Sequence, residues 1–105
     1  METTTKRYPF GILYDAEQDE TKFKLLHALF QKGEFTSLVH PKGFDPNTEH
    51  TVLVVFQFRN EIMILTTTMG TDETLIHSQN DTLRVFTDPN TAHKFVYKLA
   101  NLLLA

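Results

Sequence analysis

In the middle of the chain two apolar runs, residues 52–58 and 62–69, alternate as β-strands do, yet neither has a clean polar side. Val52, Val54, Phe56 and Phe58 point one way from the first run, while Leu53, Val55 and Gln57 point the other. The second run adds Met63 and Leu65 to one side and Ile62 and Ile64 to the other. Arg59-Asn60 between them reads as a tight turn, because asparagine tolerates positive φ. A two-residue loop pairs Phe58 with Glu61, Phe56 with Met63 and Val54 with Leu65, and a loop one residue longer shifts that register.

The period changes to that of a helix in two places. Asp15 and Gln18 have the three-residue spacing of a capping box, which predicts a helix start at Asp15. The start moves to Asp19 if the acidic residues before Phe23 interrupt the apolar stripe. Glu17, Asp19 and Glu20 suit the positive end of a helix dipole, so this acidic crowd needs no metal to explain it. The stripe runs through Ala16, Phe23, Leu26 and Phe30, is widened by Leu25 and Leu29, and ends at Lys32 and Gly33. Asp88-Pro89 opens a second helix, with the aspartate as N-cap and proline in the first turn. Ala92, Phe95, Val96, Leu99, Leu102 and Leu103 form its stripe.

The remaining segments are shorter. Residues 1–6 read as a flexible tail and 8–14 as one strand, with Pro9 near its start. Residues 35–40 form a further candidate strand, and 74–78 with 82–87 a second hairpin around Asn80-Asp81 that sets His77 opposite Arg84. The whole chain, 1–105, reads as a single α+β domain. A mostly antiparallel sheet of about five strands packs with two helices as a two-layer sandwich, and the C-terminal helix docks on the sheet.

Two helices on one face leave the other face of the central hairpin bare. Either the sheet curls, or each face takes one helix, or a partner covers the second face. The partner-binding candidates are Val52, Val54, Phe56, Phe58, Met63 and Leu65 on one side, and Leu53, Val55, Ile62 and Ile64 on the other. A homodimer is the simplest arrangement, and another protein the next.

Composition narrows the chemistry. The chain has no cysteine, which excludes disulfides and thiolate metal sites. A net charge of −3 argues against nucleic-acid binding. The N-terminus has no apolar run of the signal-peptide kind and no segment has the length of a membrane helix, so a cytoplasmic protein with no membrane partner is expected. There is no GxGxxG, phosphate-binding loop or GxSxG.

The longest polar connection, residues 40–50, is bracketed by His40 and His50 and contains Lys42, Asp45 and Glu49. Antiparallel strands on either side bring the two imidazoles together at the loop mouth. With a loop carboxylate they have the donor types of a divalent-metal site, though at no established spacing. Phe44 serves either as an anchor beneath the loop or as a contact for a partner. His27 and His93 read as boundary residues of the helices and His77 as a packing residue. The expectation is a non-catalytic interaction module with no cofactor. The alternatives are a small-ligand-binding domain with a pocket between sheet and helices, and a metal-dependent small enzyme using the 40–50 loop.

Overall fold

The computed structural model describes residues 6–8, 11–41 and 43–103, with the backbone alone for 6–8 and 100–103. The elements in chain order are β1 (Lys6–Tyr8), β2 (Gly11–Asp15), α1 (Glu20–Gln31), β3 (Ser37–Val39), β4 (His50–Gln57), β5 (Ile62–Met69), β6 (Leu75–Ile76), β7 (Thr82–Phe86) and α2 (Pro89–Leu103). The strands form one sheet in the order β1-β2-β7-β5-β4-β3, with β6 on β5, and every pair is antiparallel. The fold is α+β, with α2 packed on the sheet.

The central hairpin has the two-residue register. Phe56 pairs with Met63 and Val54 with Leu65, and the Phe58 N–H donates to the Glu61 carbonyl at 2.8 Å. Its two apolar sides are both covered, by helices on opposite faces. Phe23 and Leu26 of α1 pack with Val52, Val54, Phe56, Leu65, Leu83 and Val85. Ala92 and Phe95 of α2 pack with Leu53, Ile64 and Phe86 on the other side. The molecule therefore has three layers, and the two-layer sandwich gives way to one helix per face. A hairpin apolar on both sides reads like the buried centre of a sheet because it is one.

The first helix starts at Asp19, the later of the two candidates. Asp19 Oδ1 accepts from the Lys22 N–H at 3.4 Å, while Asp15 closes the preceding turn by accepting from the Gln18 N–H at 3.1 Å. Both aspartates satisfy orphan amides, and only the second is followed by an unbroken apolar stripe. Ala16 is buried although it lies before the helix, whereas Leu25 is 59% exposed and does not widen the stripe. At the other end Gly33 takes φ +78°. Its N–H bonds the Phe30 carbonyl and that of Glu34 bonds Leu29, the pattern of a Schellman cap. The second helix starts as expected: Asp88 accepts from the Asn90 N–H at 3.2 Å and from the Thr91 hydroxyl at 2.7 Å.

Two local expectations are corrected. The single strand over 8–14 is two strands, β1 and β2, which pair with each other as Tyr8 meets Gly11; Pro9 lies outside the described residues, as do residues 1–5 of the expected tail. The second hairpin does not form. Instead β6 pairs with Thr68 and Met69 of β5, and β7 pairs with residues 62–66 along the same edge. Arg84 thus faces Ile64 and not His77. Residues 77–81 leave the ladder because their polar groups satisfy one another: the Asp81 N–H bonds the Ser78 carbonyl at 3.1 Å and the Asn80 N–H bonds Ser78 Oγ at 2.9 Å.

Gly11 is the one glycine with neither steric nor conformational freedom to change. It has φ +95°, and an added Cβ would lie 2.7 Å from the Val85 carbonyl oxygen. Gly11→Ala is expected to lower stability by about 2 kcal/mol or more in a urea titration. An unchanged midpoint would mean that β2 does not hold this register against β7.

Candidate functional site

The strands β3 and β4 are antiparallel neighbours, Val39 facing Leu53. His40 follows the first and His50 opens the second, so the loop between them is pinched at its mouth. His40 Nδ1 and His50 Nε2 lie 3.1 Å apart. His50 Nδ1 lies 3.0 Å from the Thr48 carbonyl oxygen, which can only accept, so this nitrogen carries the proton. Neutral His50 then offers its Nε2 lone pair, and the His40 Nδ1–H donates to it. That leaves the lone pair of His40 on Nε2.

Phe44 covers this pair. Its ring stacks on His40 with centroids 4.2 Å apart and planes 13° apart, and lies 4.7 Å from that of His50. At 37% exposed it is neither tucked beneath the loop nor free of it. The loop below is tied by Asp45, whose Oδ1 accepts from the Asn47 N–H at 2.9 Å and whose carbonyl accepts from the Thr48 N–H and hydroxyl. Asp45 and Glu49 are exposed. Among the described residues neither completes a three-ligand group with His40 and His50. The expected metal set in this loop therefore does not assemble: both His50 nitrogens and one Asp45 oxygen are already engaged. Lys42 lies outside the described residues.

A cleft of about 560 Å³ opens beside the imidazoles. Phe30, Phe35, Leu38 and Met69 give it an apolar floor, while Asn47, Thr71 and Glu73 join the two histidines among its polar lining. The Schellman exit from α1 folds Phe35 back so that its ring stacks on Phe30 at 4.7 Å. Glu73 has φ 65°, a left-handed conformation unusual for a residue with a side chain. It sits in the turn between β5 and β6, closed by the Gly70 N–H on the Thr74 carbonyl at 2.8 Å. The His40 imidazolium is disfavoured mainly by burial and then by the neighbouring His50, and Glu73 only partly opposes this, so the His40 pKa lies below its usual 6.5.

The other expected site residues fall elsewhere. Val52, Val54, Phe56 and Leu65 are buried under α1, and Leu53 and Ile64 under α2. Met63, Val55 and Ile62 are half-buried, and Phe58 is 41% exposed. His27 and His77, expected at a boundary and in a strand, both approach the buried Asp81. One signal for His27 was present: it follows Phe23 by four residues, on the stripe that faces the sheet. Among the described residues no helix is long and apolar enough to cross a membrane. No family model, curated protein or solved structure matches the chain.

Because His40 binds its second proton less readily when folded, the unfolded chain takes up that proton first. Its contribution to stability is complete above pH 6.5 and is lost as the pH falls through the window between that value and the lowered one. Nitrogen-15 spectra of the rings are expected to show His40 titrating below 6.5 and, near neutral pH, His50 carrying its proton on Nδ1. A His50 protonated only on Nε2 would contradict the hydrogen-bond assignment.

Proposed function

We propose that the protein is a non-catalytic binding domain whose ligand occupies the cleft beside the 40–50 loop. The carrying observation is that a stacked aromatic floor, Phe30 on Phe35, meets a hydrogen-bonded imidazole pair in one concavity of about 560 Å³. Natural small-molecule sites span roughly 300–1,000 Å³ and combine apolar walls with a few convergent polar groups. A group with an environmentally lowered pKa in the same cleft points the same way.

The lining also suggests the ligand's chemistry. An apolar floor favours a small, flat, largely apolar molecule. The His40 Nε2 lone pair accepts one N–H or O–H from it. Glu73 adds negative charge to the lining, which favours a neutral or cationic ligand over an anion. In a protein-observed NMR screen, neutral and cationic aromatic fragments are expected to shift the amides of Asn47, Thr71 and Glu73 together. His40→Ala should weaken the best fragment by roughly tenfold, the worth of one hydrogen bond. Fragments that bind only outside this cleft would overturn the reading.

A second reading keeps the interaction module. On the face under α2, the helix lies over β5 and β7. Beside it a shallow groove, lined by Val39, Val55, Ile62 and Val96, remains half-exposed. A second copy of the chain seated there would bury this strip. Sedimentation equilibrium into the millimolar range then gives a dimer, and a monomer throughout removes that reading.

A further inference from the structure

The buried polar group between α1 and the segment joining β6 to β7 has no part in the cleft. Its centre is Asp81, 2% exposed, whose carboxylate lies inside the fold at the start of β7. His27 Nε2 lies 3.4 Å from Asp81 Oδ2, and His77 Nδ1 lies 3.5 Å from the same oxygen. The two imidazoles meet edge to face, with centroids 5.6 Å apart and planes 82° apart. The three donor atoms all lie within 4.8 Å of one another.

The distances are what distinguish this cluster from an ordinary ion pair. A charge-assisted hydrogen bond between imidazolium and carboxylate closes to about 2.7–2.9 Å. Here both gaps are wider, and both nitrogens are buried without a hydrogen-bond partner. Buried polar atoms left in that state are rare, since each costs roughly 1–3 kcal/mol. Two ligands on a tetrahedral zinc ion, each bonded at about 2.0–2.1 Å, stand about 3.3–3.4 Å apart. The two observed gaps match that edge length.

We propose that His27, His77 and Asp81 form a binding site for a divalent transition-metal ion of the zinc class. Nε2 of His27, Nδ1 of His77 and Oδ2 of Asp81 are the ligands. Two imidazoles and a carboxylate are a donor set that suits zinc, cobalt and their neighbours over calcium or magnesium. Three protein ligands leave a fourth position for solvent, on a cluster in which the His77 side chain is 28% exposed. The supporting contacts fit as well. The Ser78 N–H approaches Asp81 Oδ2 at 3.4 Å and orients the carboxylate. Glu20 Oε2 stands 3.8 Å from His77 Nε2, the nitrogen turned away from Asp81, and 3.4 Å from Lys24 Nζ. A carboxylate behind a ligating histidine fixes its ring and raises its basicity. Glu20 is a positioning residue in this scheme.

The test is titration of the untagged full chain with cobalt(II), followed by zinc(II). One equivalent of cobalt is expected to bind with the strong visible absorption of a tetrahedral site, and zinc to displace it. His77→Ala should lose at least about a hundredfold in affinity and Glu20→Gln about tenfold. His40→Ala should leave uptake unchanged. Since replacing a mostly buried histidine endangers the fold, the ring resonances of the wild-type chain provide a second reading: those of His27 and His77 should shift together on adding zinc. Absence of stoichiometric uptake, or shifts confined to His40 and His50, overturns the proposal and leaves the cluster as a buried ion pair.

Discussion

Everything in this fold follows from a hairpin that cannot show either face to water. The strands β4 and β5 bury Val52, Val54, Phe56 and Leu65 on one side and Leu53 and Ile64 on the other, all at 0–1% exposure. Burying one such side chain contributes about 1.5–3 kcal/mol, so exposing either face would remove much of the marginal stability of a domain this size. The chain answers with one helix on each face. The second helix needs little to place it, since Asp88-Pro89 turns β7 directly into α2. The first helix reaches its face after the Ala16–Asp19 turn, and its own C-terminal cap returns Phe35 to the sheet.

That placement of α1 also creates both polar sites. The end of the helix, with Phe30 and Phe35 stacked, forms the floor of the cleft beneath His40 and His50. Its middle carries His27 to Asp81 and His77, in the segment where the ladder along β5 is interrupted. Leu75 and Ile76 pair with one end of that edge and residues 82–86 with the other. The five residues between them loop away and deliver His77 and Asp81 to the helix. Thr67, buried at the same break, donates from its hydroxyl to the Ile76 carbonyl at 3.3 Å. A continuous ladder along all eight residues of β5 would have satisfied the backbone directly. The break instead admits a buried carboxylate, which is unfavourable unless something positive faces it.

Much of this was legible in the sequence where one local signal had no competitor. Arg59-Asn60 between two apolar runs placed the hairpin turn and left two registers, of which the structure has the two-residue one, and Asp88-Pro89 set the start of α2. His40 and His50 could be brought together because they bracket a loop between strands that pair. Other features were ambiguous for physical reasons. Asp15 and Asp19 both cap backbone amides, and only packing decides which one begins the helix. Asn80-Asp81 has the composition of a hairpin turn, but the Asp81 side chain turns inward and the strands never pair. Periodicity assigns residues to faces without saying which helix covers which face, so two layers and three were equally compatible with it. The His27–His77–Asp81 cluster draws on residues some fifty positions apart, and only the tertiary fold joins them.

The most direct test of the account compares two adjacent residues of β5 that face opposite ways. Ile64 lies under α2 at 1% exposure and Leu65 under α1 at 0%. If each face is covered by a helix of the same chain, Ile64→Ala and Leu65→Ala, measured by urea unfolding in dilute solution, should each cost about 2–5 kcal/mol. A change within about 0.5 kcal/mol for Ile64→Ala, with a large one for Leu65→Ala, would be the response of a surface position. It would show that α2 does not cover its face of the sheet.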